Sequence, residues 1–348
     1  MPALRELNLV SMWVLNLVVF LNCVDAEYVR QAFRVPPPNV SSTWHCVLLN
    51  ETQIAGIDVL WKRHNCSGST PFGNNGPMIF NSLEVNLASE KIYVTPMIAN
   101  NEYQLAPLNT IAAQDARIVA GINGGYFYRT DVSTFVDNVS WGKSKTEALQ
   151  PVNQKEPNDG VGDGLVVING SQFSSNCDCL GYNRPATLVV NKTSSYIVVQ
   201  STASPSPPGA MFSLAAGPNL VSHNASGSFF GIPADDENSN VLEWSANTAV
   251  GLTQDETTGG LTMTMVTADG YDGCPFYTDT TCGINALILS YFMKDALGVT
   301  SAMGMDQGGS TTMFVKGYGR DGIVSCSSDK ECSGGGRPIF SGLMVGVY

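Results

Sequence analysis

Apolar residues in this chain come in short bursts separated by Gly, Pro, Asn and Ser, the pattern of strands that end in turns. Trp44–Leu49 and Ile54–Trp61 read as strands, and Asn65–Pro77, rich in Gly, Ser, Asn and Pro, reads as a loop. Leu83–Leu87 and Ile92–Ile98 flank the polar Ala88–Lys91, which predicts a hairpin. Ile118–Ile122, Leu165–Ile168, Ala186–Val190, Tyr196–Gln200, Ser213–Ala216, Leu261–Ala268 and Gly342–Val347 predict further strands. Two segments read as helix. Pro107–Ala116 is short, with Asn109 or Thr110 as its cap, whereas in Asn285–Leu297 Leu287, Tyr291 and Met293–Leu297 recur at roughly helical spacing and Gly298 supplies the stop. Tyr128–Gly162 is polar and irregular, a length that marks a functional or mobile loop; Ser201–Gly209 and Asp235–Asn240 are shorter polar connections. The pattern predicts an α+β fold: a mixed, largely antiparallel sheet core with a few packed helices.

One stretch carries more than structure. In Ser301–Lys316 an apolar run, Ala302–Met305, stops at Asp306; Gln307, Gly308, Gly309 and Ser310 follow, and Thr311–Val315 leaves as a second strand-like run. Glycines let a ligand approach the main chain, and Asp306 and Ser310 add an acceptor and a donor. An ordinary hairpin turn has the same composition. The design recurs at two other strand ends, Ile118–Ile122 before Asn123-Gly124-Gly125 and Leu261–Ala268 before Asp269-Gly270. If those ends are neighbours in a sheet, Asn123, Asp269 and Asp306 share one pocket with glycine N–H groups able to hold an anion.

Composition narrows the setting. Leu7–Leu21 is a long apolar run behind Arg5, and Val24-Asp25-Ala26 has the small-residue spacing of a signal-peptidase site, so residues 1–26 read as a signal peptide, with an uncleaved anchor as the alternative. No later stretch is long and apolar enough to span a membrane. The nine cysteines include Cys23 in that segment. The even set that remains suits disulfides, with Cys274–Cys282 and Cys326–Cys332 as close pairs and Cys46–Cys66 as plausible partners; Cys177 and Cys179 are too near each other for easy bonding. Zinc is disfavoured by the lack of a C-x-x-C. N-x-S/T sequons at Asn39, Asn50, Asn65, Asn138, Asn169, Asn191 and Asn224 agree with a glycosylated, disulfide-bonded protein of the secretory pathway, secreted or lumenal.

The net charge of −12 becomes −11 when one positive and two negative charges leave with residues 1–26. Such a chain is a poor partner for nucleic acid or anionic membranes. His45, His64 and His223 lie apart, with no G-x-S-x-G beside them, and Gly334-Gly335-Gly336 lacks the lysine of a nucleotide-binding loop.

The ordered set AGINGGYF (120–127), DGLVVINGS (163–171), AAGPNLV (215–221), NTAVGLT (247–253), MTMVTADG (263–270), GVTSAMGMDQGGSTTMFVKG (298–317) and GRPIFSGLMV (336–345) resembles the phosphodiester glycosidase family. The likeness covers roughly Asn81–Tyr348 and rests on the order and spacing of all the motifs, dividing the chain into signal 1–26, an N-terminal extension of short strands over 27–80 and a phosphodiester glycosidase domain over 81–348. It implies hydrolysis of a sugar-1-phosphodiester of the GlcNAc-α-1-phosphate type at the C1–O bond, carried on a glycoprotein or polysaccharide. Because phosphate leaves readily, a carboxylate that faces an oxocarbenium-like centre or activates water matters more than a strong acid. The resemblance points to Asp306 for that role, with Asp269 as partner and Asp163 behind them. Gly124, Gly125, Gly308 and Gly309 amides, Ser310 and Arg337 are expected phosphate donors, and Asn123 a ligand for a sugar hydroxyl or phosphate oxygen. Arg337 has a structural ion pair as its plainer reading.

Two positions depart from the family pattern. Gln307 stands where Asp-Gly-Gly-Gly-Ser has glycine, and Asn247 replaces an arginine of the middle motif. These changes motivate a non-catalytic carbohydrate or phosphoglycan binder as the alternative. No cofactor is implied, although Asp269, Asp272 and Asp306 have the oxygens for Ca²⁺ or Mg²⁺. A metal-dependent phosphodiesterase would need a carboxylate and histidine cluster that the sequence does not show.

Overall fold

In the computed structural model, residues 42–70, 73–100, 104–129, 160–162, 164–173, 186–190, 195–199, 210–224, 227–230, 244–254, 260–270, 283–328 and 337–348 are described. The signal segment, Asp163, Asp272, most of the cysteines and the two shorter polar connections lie outside them.

Short apolar runs do become strands. In chain order they are β1 (Thr43–Gln53), β2 (Val59–Thr70), β3 (Gly73–Asn86), β4 (Ile92–Ile98), β5 (Ile118–Asn123), β6 (Phe127–Arg129), β7 (Gly160–Gly162), β8 (Val166–Ile168), β9 (Ser171–Gln172) and β10 (Ala186–Val190). There follow β11 (Ser195–Val199), β12 (Phe212–Ala216), β13 (Asn219–Asn224), β14 (Gly227–Phe230), β15 (Asn247–Gln254), β16 (Leu261–Ala268), β17 (Ser301–Gly304), β18 (Met313–Val315) and β19 (Ser341–Val347). Among the described residues two short α-helices, α1 (Leu108–Ala112) and α2 (Ala286–Tyr291), interrupt the series.

The largest sheet runs β1-β2-β3-β16-β15-β17-β13-β14, a second β11-β10-β12-β8-β9, and a third β18-β5-β19-β4; β6 and β7 form a two-stranded ribbon. Every pairing among the described residues is antiparallel, so the expected parallel component is absent from them. One face of the largest sheet contributes Leu83, Val85, Met263, Met265 and Met303 to a core shared with Val119, Ile122 and Val345 of the third sheet and Leu188 and Leu214 of the second. The opposite face is covered by α2 and the turn that follows it, through Ile288, Leu289 and Phe292 against Phe80, Val266 and Ala302. Strand alternation produces these two apolar faces, and burial of both is the main stabilising term.

Several local readings are corrected. Ile54 belongs to a tight turn, not a strand: β1 ends at Gln53 and Ile54–Asp58 turns the chain into β2. The polar 65–77 segment, expected as a loop, is mostly paired strand, and Cys46 and Cys66, opposite each other in register, are disulfide-bonded. Cys326 is also a disulfide cysteine; its expected partner Cys332 lies outside the described residues. β3 and β4 do not form the hairpin that Ala88–Lys91 suggests, because β3 pairs with β2 and β16 while β4 pairs with β19. β3 also runs across residue 80, so the extension shares a sheet with the later motifs.

The first helix starts at Pro107, whose missing N–H costs nothing there, and neither Asn109 nor Thr110 caps it. The second starts as expected, with the Asn285 carboxamide accepting from the Ile288 amide, but after Tyr291 it widens into a π-helical turn over Phe292–Ala296 before Gly298 takes φ +67°. That turn is tied to β1: Asp295 accepts hydrogen bonds from the Ser42 amide (2.8 Å) and hydroxyl (2.7 Å) and from Lys294 (2.8 Å). Trp44 packs edge-on against Phe80 and Phe292 beside it.

Candidate functional site

The segment after β17 does not close a hairpin. β17 belongs to the largest sheet and β18 to the third, so Met305–Thr312 crosses from one sheet to the other. Its backbone is pinned at both ends: Met305 N–H donates to Thr248 O, Asp306 N–H to Gly124 O (3.1 Å) and Gly308 N–H to Ala246 O (2.8 Å), while Thr312 O accepts from the Asn123 amide (3.0 Å). Gly308 has φ +70° and an unobstructed Cα, which explains a glycine there. Gln307 is extended, at φ −116° and ψ −176°, a conformation open to any residue, so a side chain enters without backbone strain.

Asn123, at the end of β5, is the hub. Its carboxamide N–H₂ donates to the Asp306 carbonyl (2.8 Å), while its Oδ1 accepts from the Thr248 hydroxyl (2.7 Å) and the Thr312 amide (2.9 Å). At 1% exposure it is a buried clamp joining β5, β15 and the crossing segment. The polar line extends across the largest sheet, because Thr248 is paired with Thr267, Thr267 with Asn81, and Asn81 with Arg63, and paired residues share a face.

Asp269 is at the end of β16. Its Oδ1 accepts from the Cys326 amide (2.9 Å) and the Asn81 carboxamide (3.3 Å). The adjoining Gly270 donates to Cys326 O, and Ser328 N–H donates to Gly308 O, so Asp269 is linked through 326–328 to the turn after Asp306. Asn123, Asp269 and Asp306 are thus gathered at one end of the sheets. Asp269 is buried at 1% exposure, whereas Asp306 is half-buried, its Oδ1 accepting from the Gln307 amide (2.9 Å).

Other motifs converge here. Gly125 packs against the Ala215 carbonyl so closely that a Cβ would strike it, Tyr126 donates to Gly217 O (3.3 Å), and Gly304 N–H donates to Pro218 O, where Gly217–Pro218 is cis. Gly124 N–H donates to Ser341 O at the start of β19. Two glycine amides expected as phosphate donors, Gly124 and Gly308, are therefore spent inside the protein. Ser310, Thr311 and Ser341 are buried, and among the described residues their hydroxyls find no hydrogen-bond partner. Polar groups in that state call for a ligand or water. Arg337 is half-buried just before β19. Asn247 lies on the helix-covered face, its N–H₂ donating to Ser245 O (3.0 Å) and Ile284 O (2.6 Å).

Asn81, Thr248 and Thr312 were hidden from sequence reasoning inside apolar runs. The visible signal was the polar residue at a position where strand alternation required burial, as at Asn81 between Phe80 and Leu83. Among the described residues no three His, Cys, Asp or Glu side chains stand close enough to hold a metal ion, and no helix is long and apolar enough to cross a membrane.

No curated protein matches the chain by sequence. Among solved structures it is similar to the catalytic domain of zebrafish N-acetylglucosamine-1-phosphodiester α-N-acetylglucosaminidase, which is auto-inhibited by its pro-peptide: TM-score 0.51, 15% identity, covering 89% of this chain and 84% of that one. A Burkholderia pseudomallei protein assigned as exported is similar at TM-score 0.50 and 11% identity, over 89% and 97% of the two chains. At these identities the likeness concerns fold. The family profile of the phosphodiester glycosidases matches residues 116–346, which spans β5 to β19 and the strand ends gathered around Asn123, and the chain belongs to that family.

Proposed function

We propose that the protein is a secreted hydrolase that cleaves the C1–O bond of a sugar-1-phosphodiester, releasing free sugar and a phosphomonoester. The observation that carries this reading is the crossing segment, which presents the half-buried Asp306 carboxylate at the point where the family motifs meet. Asp306 faces the anomeric carbon and stabilises its developing positive charge or activates water. Asp269, more deeply held, shapes the floor of the site and sets the field around it. Arg337, Ser310 and the amides of Gly125 and Gly309 receive the phosphate, while Asn123 acts through Asp306 by fixing its backbone. The substrate is a GlcNAc-α-1-phosphate diester displayed on a glycoprotein or polysaccharide. Secretion is supported by the Cys46–Cys66 disulfide, a bond characteristic of oxidising compartments.

The test is sugar release from a GlcNAc-α-1-phosphodiester by the purified protein, with Asp306→Asn as control, in oxygen-18 water. Label in the sugar, and loss of turnover in the variant, are expected. Label in the phosphate would replace C1–O with P–O cleavage. The Gln307 side chain beside Asp306 favours a second reading, a phosphoglycan-binding protein; saturable binding of the diester without turnover would select it.

A further inference from the structure

The β1–β2 hairpin carries a feature that catalysis does not use. Among the described residues β1 is the edge of the largest sheet and pairs only with β2, yet Val47, Leu48 and Leu49 are 66%, 48% and 51% exposed. Three consecutive apolar residues on an uncovered edge strand are a template for strand-to-strand association. The register places two sequons beside them. Val47 is paired with Asn65 and, after a bulge at Leu49, Asn50 is paired with Arg63, so Asn65, Asn50 and Val47 share one face of the hairpin. Both sequons are complete, Asn50-Glu51-Thr52 and Asn65-Cys66-Ser67. Among the described residues neither asparagine side chain holds the fold together: the Asn50 amide donates to the hydroxyl of its own sequon, Thr52 (3.2 Å), and the half-buried Asn65 side chain makes no hydrogen bond.

We infer that Asn50 and Asn65 carry N-linked oligosaccharides whose first sugars lie over Val47 and Leu49 and keep the β1 edge from pairing with a second copy. This rests on the secretory reading and not on the catalytic one. In the transfer, the asparagine Nδ2 attacks C1 of an oligosaccharide held on a polyisoprenyl diphosphate. A C1–N bond forms, the C1–O bond to the diphosphate breaks, the diphosphate leaves, and one amide proton is released. It takes place on the chain before the hairpin folds. Side chains project perpendicular to a sheet, so two sugars on this face flank the apolar residues and obstruct approach along the edge.

The test is glycopeptide mapping of protein secreted from a eukaryotic host, together with size-exclusion chromatography of Thr52→Ala/Ser67→Ala, which removes both acceptor signals and leaves both asparagines. Sugar at Asn50 and Asn65 is expected in the parent. The double variant is expected to elute largely as dimer or larger and to bind an apolar dye several-fold more strongly, and Val47→Lys added to it restores the monomer. Unmodified Asn50 and Asn65 peptides in a protein glycosylated at Asn169 would overturn the inference, as would a double variant that stays monomeric. A protein without sugar at any sequon would overturn it together with the secretory reading, while the sugar-release assay reports on catalysis separately.

Discussion

Replacing Asn123 with Ala strands a backbone carbonyl, a backbone amide and a threonine hydroxyl at once, the last two in a fully buried place. Unsatisfied groups of this kind cost about 1–3 kcal/mol each before relaxation, so Asn123→Ala is expected to lose about 2–4 kcal/mol in urea unfolding. Because the lost bond fixes the Asp306 backbone, kcat is expected to fall more than KM changes, which steady-state kinetics on the folded variant will show. Glycines near the site divide in the same way. Gly308→Ala adds a methyl to open space and pays only for φ +70°, about 1 kcal/mol. Gly125→Ala drives a methyl into the Ala215 carbonyl and must move backbone, so its loss of melting temperature is expected to exceed that of Gly308→Ala. The glycine-bounded strand ends, and Asp306 among them, were legible in the sequence because small residues beside a carboxylate leave a local mark. That Asn123 points inward was not legible, since burial of a polar side chain depends on partners far away in the chain.

At the scale of elements, the start of β1 hangs on Asp295. Burial pushes the Asp295 carboxyl up, but hydrogen bonds from Lys294 and Ser42 outweigh it and hold the group below its ordinary value. The sign is that of a carboxylate stabilised on folding: its contribution is complete above about pH 4 and is lost as the pH falls further. Asp295→Asn is therefore expected to lower the urea midpoint at pH 7 and to narrow its gap to wild type near pH 3. His64 in β2 behaves differently. Burial, with Lys62 nearby, depresses its affinity for a proton, so stability is undiminished above about pH 6.5 and declines as the pH drops through that value. Melting curves at pH 7.5 and 5.5 check this, and His64→Gln should flatten the difference. Element identity was readable where apolar runs were dense, as in β5, β10 and β16. It failed at 65–77, where a polar segment is strand because it is paired and cross-linked, and at Ala88–Lys91, where a turn of hairpin composition joins two different sheets; neither partner can be seen from within the segment.

The family profile begins at residue 116, yet β3 is hydrogen-bonded to β16 and β4 to β19, so the earlier strands are woven into the largest and the third sheet. A fragment spanning only 116–346 would bare β16 in the largest sheet and β19 in the third, and it is expected to be insoluble or to lack a cooperative melting transition, whereas a fragment from Ser42 onward retains one. The crossing segment has a thermodynamic consequence of its own. Because Met305–Thr312 is fastened to the largest sheet at one end and to the third at the other, anything that grips Asp306 and Ser310 together acts as a rivet between sheets. Ligand occupancy and sheet docking then belong to one equilibrium: a product or inert analogue at a hundred times its Kd should add about 2.7 kcal/mol to unfolding of the entire molecule, and a variant in which the sheets part more readily should bind the ligand more weakly, in proportion to the fraction of molecules left docked.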